Sequence, residues 1–125
     1  MSYEPLTPLA IEQKLRDLLN EMTHATLALA RARDEEVGLK HAWESAQRES
    51  WFHPDCPRPS RGGHTVADRD VWIAHRVETV QQAYDLAVAK REAAADHLRT
   101  LRTQVDVVRT LGASVRQAYE MAGSA

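Results

Sequence analysis

Along two long stretches of this chain, apolar residues recur at alternating spacings of four and three, as in the seam of a coiled coil. The first stretch runs from Ile11 to Ala46, and Glu36 is its one polar member. The second runs from Ile73 to Tyr119 and is interrupted at Arg91 and Gly112. Helices that pack along a narrow apolar stripe have this pattern, so the sequence predicts an all-α protein.

Capping signals mark where the two helices begin. Thr7 precedes Pro8, a residue suited to the first position of a helix, and Thr65 precedes Asp68 by three residues, as in a capping box. We therefore expect a single domain over residues 1–125. Its predicted parts are helix 1 at about 8–50, a tip loop at about 51–66 and helix 2 at about 67–121.

The short connection predicts that the two helices lie antiparallel, as a long coiled-coil-like hairpin. A turn centred near residue 59 would place the alanine-rich stretch 25–32 opposite 86–94, and Trp43 beside residues 73–77. Small side chains would then face small ones across the seam, which supports this register.

The two charged interruptions of the seam do not meet in that register. Glu36 and Arg91 would be nine residues out of alignment. We expect each to reach solvent at the edge of the seam, although contact between subunits is an alternative.

A lone two-helix hairpin of this size buries little apolar surface. A second apolar edge lies beside the helix 2 seam and comprises Leu86, Ala93, Val107, Leu111 and Ala118. It predicts a homo-oligomer, with two hairpins associating into a four-helix bundle. The predicted seam and oligomer residues are Leu15, Leu18, Met22, Trp43, Ile73, Leu98, Leu101, Val105, Leu111 and Val115.

The segment WFHPDCPRPSRGGH, residues 51–64, raises the question of a metal site. Zinc binds histidine nitrogen and cysteine sulfur, and the expected register brings further histidines toward the loop. The candidate ligands are His53, Cys56, His64, His41 and His75. The set lacks a paired Cys-x2-Cys, so we favour no cofactor and keep zinc as an alternative.

An aromatic and proline-rich cap explains the same segment without a metal. Trp51, Phe52 and Trp72 would form it, together with Pro54 and Pro57. Exposed aromatic and arginine side chains are enriched where proteins bind one another. The residues predicted to contact a protein partner are Trp51, Phe52, Arg58, Arg61 and Trp72.

A basic stripe on helix 2 comprises Arg102, Arg109 and Arg116, spaced by seven, with Arg99 beside it. Such a stripe can track phosphates, so nucleic-acid binding is an alternative. The net charge of −2 and the neighbouring acidic residues favour a solvated helix face instead.

Composition argues against several other classes of protein. Acidic clusters at Asp34–Glu36 and Asp68–Asp70 lack the pocket that acid–base catalysis needs, so we expect no enzyme activity. No apolar run is long enough to span a membrane, and we expect no signal peptide. A single cysteine fits a reducing compartment, so the expected location is the cytoplasm.

The second half of the chain resembles small helical-hairpin accessory proteins of actinobacterial tailed phages. The resemblance covers about residues 64–120 and rests on the opening HTVADRD and the stretch LRTQVDVVRTLGASVR, residues 101–116. It implies an accessory protein with no assigned chemistry, in the host cytoplasm or in the virion.

The sequence therefore predicts a non-enzymatic adaptor that acts through protein–protein contacts, in host takeover or in support of replication and recombination. One alternative is a structural component of the virion. The other is a nucleic-acid-binding protein with a zinc-stabilised tip.

Overall fold

A computed structural model describes residues 6–123, so residues 1–5 and 124–125 of the predicted domain lie outside the described residues. Three helices make up most of the described chain and confirm the all-α class. They are α1 (Pro8–Trp51), α2 (Val66–Arg76) and α3 (Glu78–Gly123). Residues 52–65 form the tip loop between α1 and α2.

The chain divides into two compact units. Within the described residues, unit 1 combines 6–29 with 93–123, and unit 2 spans Ala30–Glu92. In each unit α1 packs against α3, which confirms the predicted helical hairpin.

Unit 1 contains the main apolar core. Its buried members come from both helices, and partly buried neighbours extend it. The buried residues are Leu18, Ala25, Leu29, Leu98, Leu101 and Val105, and the neighbours include Leu15, Met22 and Val108. Burying each larger side chain contributes about 1.5–3 kcal/mol, so this seam supplies much of the stabilisation of the unit.

Of the predicted seam and oligomer residues, six belong to this cluster or border it: Leu15, Leu18, Met22, Leu98, Leu101 and Val105. On α3, Val115 is half-buried, and Leu111, a member of the second apolar edge, is exposed. Trp43 and Ile73 belong to unit 2, where they line a cavity.

Both predicted helix starts are confirmed. The Thr7 hydroxyl accepts a hydrogen bond from the backbone N–H of Ala10 at 3.1 Å. Thr65 and Asp68 form a reciprocal capping box, in which each side chain accepts from the backbone N–H of the other residue. These contacts satisfy N–H groups that a helix leaves without partners in its first turn.

Helix 2 is not the single helix predicted over residues 67–121. It is broken at Val77, where φ is −99° and ψ is 5°, so α2 ends at Arg76 and α3 begins at Glu78. Val77 is 2% exposed and lines a cavity together with Trp43 and Trp51. Burial of the Val77 side chain offsets the interruption of regular helical geometry.

The predicted register is wrong by nine residues in unit 2. Arg91 contacts Glu36, and Tyr84 stacks on Trp43, whereas a turn near residue 59 would place other residues opposite them. The shift in register arises because α2 is part of the connection between α1 and α3. Arg76, the last residue of α2, lies 3.9 Å from Glu49 near the end of α1.

The expected match of alanine-rich stretches is wrong for the same reason. Ala25 and Leu29 pack in one cluster with Leu98 and Leu101, and Ala94, the last residue of the stretch 86–94, is partly buried beside this cluster. Trp43 does share a cavity with Ile73, as expected, although its ring partner is Tyr84.

Candidate functional site

The tip loop of unit 2 is held by backbone hydrogen bonds between residues close in sequence. The Ser60 N–H donates to the His64 carbonyl at 3.1 Å, and the Gly63 N–H donates back to Ser60 at 3.2 Å. Gly62 has a φ of 79°, a left-handed conformation that favours glycine. These hydrogen bonds and the conformation of Gly62 form a tight turn at the Arg61–Gly63 sequence.

Cys56 is buried at the base of this loop and is 3% exposed. Its N–H donates to the His53 carbonyl at 3.0 Å, and the His53 N–H donates to Ser50 at 3.2 Å. Ser50 is itself 1% exposed. The thiol thus belongs to the packed interior of unit 2 rather than to the outer face of the loop.

The predicted metal ligands do not converge. Among residues 6–123, no group of three histidine, cysteine, aspartate or glutamate side chains could hold a metal ion. His53 Nδ1 accepts a hydrogen bond from the Asp55 N–H at 3.0 Å, so this nitrogen is already engaged. Its ring lies 5.6 Å from the Trp72 ring.

The other three candidate histidines, His41, His64 and His75, lie on exposed helix or loop positions. His64 Nδ1 is 3.9 Å from Asp68, and His75 Nδ1 is 3.9 Å from Glu78. His41 lies on α1, and the corrected register no longer brings it toward His75. The clustering expected of these residues depended on a turn near residue 59.

Two arginine–tryptophan contacts organise the surface around α2. The Arg69 guanidinium carbon lies 4.1 Å from the Trp51 ring centre, and that of Arg76 lies 5.4 Å from the Trp72 ring centre. Contacts of this kind are attractive because a cation faces the negative ring surface. The first contact joins Trp51 at the end of α1 to α2, and the second lies within α2 between residues four positions apart.

Two open cavities are lined by α2. The first measures about 480 Å³ and is bounded by α1 and α3 residues as well; its lining includes Trp43, Trp51, Ile73 and Val77. The second measures about 460 Å³ and is lined by Pro57, His64, Asp68, Val71, Trp72 and His75. Both volumes fall within the range of small-molecule and side-chain pockets.

Polar atoms near the first cavity are incompletely satisfied. Within the described part of the chain, Trp43 Nε1 and Arg69 Nε are buried and have no hydrogen-bond partner. Arg69 Nε is 3.5 Å from the Asp70 carboxylate, which is an ion pair without hydrogen-bond alignment. The Trp43 ring stacks on Tyr84 at 5.5 Å.

The predicted partner-binding residues lie on the surface of unit 2. Phe52 is 75% exposed and Trp51 is 41% exposed. Arg58 and Arg61 are exposed on the tip loop, and Trp72 is half-buried.

Sequence reasoning missed two further exposed apolar residues of α2. Val66 and Val71 are 53% and 69% exposed, and the sequence pattern assigned neither of them to a binding surface. The signal was available, because neither residue belongs to the heptad series that begins at Ile73.

The basic stripe lies in unit 1. Arg102, Arg109 and Arg116 are exposed, and no carboxylate of residues 6–123 forms an ion pair with them. Arg99 differs, because its guanidinium is 2.9 Å from Asp96. Arg109 and Arg116 border a cavity of about 270 Å³ that also has apolar walls.

Two carboxyl groups have shifted pKa values, and each shift has a structural cause. The Arg91 guanidinium, hydrogen-bonded to Glu36, holds the pKa of that carboxyl below its usual value. The Thr65 backbone N–H, and then its hydroxyl, lower the pKa of Asp68. Both carboxyls are therefore engaged in holding the fold.

None of the helices within residues 6–123 combines the length and the apolar character required to cross a membrane. Comparison with models of protein families, with curated proteins and with solved structures found no match to this chain.

Proposed function

We propose that this chain is a non-enzymatic adaptor that binds a protein partner through the surface around α2 and the tip loop. The binding surface comprises Trp51, Phe52, Val66, Val71 and Trp72, together with the exposed loop arginines Arg58 and Arg61.

The observation that carries this proposal is the exposure of large apolar side chains around structured cavities. Phe52 and Val71 are among the most exposed large apolar side chains of the described chain, and Val71 lines the same cavity as Trp72. Aromatic anchors beside a pocket, with a polar rim, are typical of protein-binding sites.

The surface is also pre-organised. Cation–ring contacts hold Trp51 and Trp72, and the capping box fixes the start of α2. A surface that is already ordered loses less conformational entropy on binding. This supports recognition by a fixed surface rather than by a loop that orders on contact.

The resemblance to phage accessory proteins supplies the proposed setting. In that setting the partner acts in host takeover or in replication and recombination, in the cytoplasm of the host. Self-association is part of the same proposal, because Leu86, Val107 and Leu111 are exposed at 57%, 54% and 40%.

Site-specific photo-crosslinking tests the proposed surface. A photoreactive phenylalanine analogue at position 52 or 71, in cells of the organism that carries the gene, should give one discrete adduct with a protein. The substitution Trp72→Ala should remove that adduct, since it removes the cavity floor beside Val71.

The matched control places the same analogue at Thr100, an exposed polar position of α3. This position should give no discrete adduct. The proposal fails if the tip positions give no adduct, or if Thr100 gives the same adduct as Phe52.

A further inference from the structure

A groove between α1 and α3 in unit 1 has a different chemistry from the tip. Its cavity measures about 270 Å³ and is lined by Ile11 and Leu15 of α1 and by Gly112 of α3, with Pro8 at the start of α1. A Cβ atom at Gly112 would lie 2.9 Å from Ile11 Cγ2, so glycine allows the close approach of the helices here.

Positive charge borders this apolar groove. Arg109 and Arg116 line it, and Arg102 precedes them by one heptad on the same face of α3. Within residues 6–123, no ion pair engages these three arginines. The carboxylate that also lines the groove, Glu12, is held by Arg16 at 3.0 Å.

We infer that this groove binds an acidic amphipathic helix of a partner protein. Apolar side chains of that helix enter the cavity above Ile11 and Leu15. Its carboxylates pair with Arg109, Arg116 and Arg102, whose spacing of seven matches two helical turns of a partner laid along α3.

The arginines favour an anionic occupant, and the apolar cavity beside them selects an acidic helix over a nucleic acid. Phosphate binding needs the arginines alone, and it leaves the apolar cavity unused. A net charge of −2 for the whole chain also opposes a general attraction to nucleic acid. An amphipathic acidic helix uses both the cavity and the arginines.

The inference rests on the proposed function, because it names a second contact of the same adaptor. It is tested with a defined probe, a fluorescein-labelled peptide of about 18 residues with leucines at helical spacing on one face and glutamates on both flanks. Anisotropy should show binding with a dissociation constant below about 100 μM in low salt.

Variants locate the site. Arg109→Glu combined with Arg116→Glu should weaken peptide binding at least about tenfold, and raising the salt concentration should weaken binding to the wild type. The matched control is Arg31→Glu with Arg33→Glu, which changes the net charge equally at exposed positions of unit 2. Circular dichroism checks that all variants remain helical.

Peptide controls separate the two contributions. A peptide with lysine in place of glutamate should not bind, and neither should one with serine in place of leucine. Binding that survives the serine change would overturn the role of the cavity, since charge alone would then suffice.

Other occupants give different results, and each would overturn the inference. A duplex oligonucleotide that binds more tightly than the peptide, and is lost with Arg109→Glu and Arg116→Glu, identifies nucleic acid. A change of molar mass in that variant, measured by light scattering, identifies a second copy of the chain. Absence of peptide binding at about 1 mM also rejects the inference.

The tip variant Phe52→Ser with Val71→Ser should bind the peptide as the wild type does. Peptide binding without tip adducts would leave the groove established and reject the proposed tip surface. Tip adducts without peptide binding would support the proposed tip surface and reject the groove as a site for an acidic helix.

Discussion

Glu36 and Arg91 are joined by two hydrogen bonds between α1 and α3, with Arg91 Nε 2.8 Å from Glu36 Oε2 and Nη2 3.2 Å from Oε1. Both residues occupy seam positions at which the apolar pattern of the sequence is interrupted. The fork of the guanidinium matches the carboxylate only in one alignment of the helices. The pair therefore acts as a marker of register within unit 2, as polar groups at seam positions do in other coiled coils.

Charge exchange at this pair tests its role in register. Glu36→Arg and Arg91→Glu should each lower the melting temperature, because each places two like charges at a partly buried seam position. The double exchange should recover most of the loss. Thermal unfolding followed by circular dichroism measures all three.

The neighbouring pair Glu35–Lys90 is the matched control. Its atoms are 3.9 Å apart and both side chains are about half exposed, so single charge reversals there should have little effect. Equal effects at the two pairs would show that Glu36 and Arg91 contribute no more than surface charges do.

Stability should fall at acid pH through the same carboxyl. The pKa of Glu36 is lower in the folded chain than its usual value, so its ionised form stabilises the folded state above the unfolded pKa. This contribution is lost as pH falls below about 4.3 and through the lower, folded pKa. Asp68 contributes with the same sign.

Glu36→Gln should therefore flatten the acid limb of a plot of unfolding free energy against pH. Denaturant titrations at a series of pH values give that plot. Glu35→Gln serves as the control and should leave the acid limb as it is in the wild type. If the unfolding free energy of Glu36→Gln falls at acid pH as steeply as that of the wild type, Glu36 is not a source of the acid sensitivity.

Local signals predicted the helices of this fold well. The heptad spacing gave α1 and most of α3, and Thr7 and Thr65 marked two helix starts. These features depend on interactions between residues close together in sequence, such as hydrogen bonds between residues three or four positions apart. The break at the buried Val77 has no proline or glycine beside it, so no local signal predicts it.

Register was the main error, and it affected the candidate site. A seam that repeats every seven residues remains apolar when one helix slides, so apolar matching alone does not select an alignment. Pairing the two polar interruptions, Glu36 and Arg91, would have selected it. The expected approach of His41 to His75 was derived from the wrong alignment, whereas His75 does share a cavity with His64 of the tip loop.

Two glycines of the long helices should respond in opposite ways to alanine. Gly38 has no atom within 4 Å of an added Cβ, so Gly38→Ala should raise the unfolding free energy by about 0.5–1 kcal/mol. At Gly112 the Cβ would meet Ile11 Cγ2 at 2.9 Å, and the resulting overpacking costs about 1–3 kcal/mol.

Denaturant unfolding measures both substitutions. Adding Ile11→Ala removes the methyl group that Gly112→Ala would strike, so in that background Gly112→Ala should no longer destabilise. A similar stabilisation from both alanines in the wild-type background would show that the helices do not approach closely at Gly112.

Cys56 should react slowly with thiol reagents in the native protein. It is 3% exposed at the base of the tip loop, so modification requires opening of that loop. The control thiol is Ser45→Cys in a Cys56→Ser background, at an exposed position of α1. Reaction at Cys56 should be at least about tenfold slower than at this control.

Chelation addresses the zinc alternative in the same samples. EDTA should leave both the helicity and the rate of Cys56 modification unchanged, since hydrogen bonds of the loop backbone hold the turn. Faster modification after EDTA, restored by added zinc, would show instead that a metal ion stabilises the tip.

Self-association should depend on the exposed apolar edge of α3. Val107 and Leu111 are 54% and 40% exposed, and pairing with a second chain would remove them from water. Light scattering after size exclusion should give about twice the chain mass of 14.1 kDa at about 50 μM. Val107→Glu with Leu111→Glu should give the monomer mass, because a dimer of this variant would have to bury unpaired charges in its interface. Leu27→Glu with Val37→Glu changes charge equally at comparably exposed positions of α1 and should leave the mass doubled. A wild-type monomer at that concentration, or dissociation by both variants alike, would reject this edge as the interface.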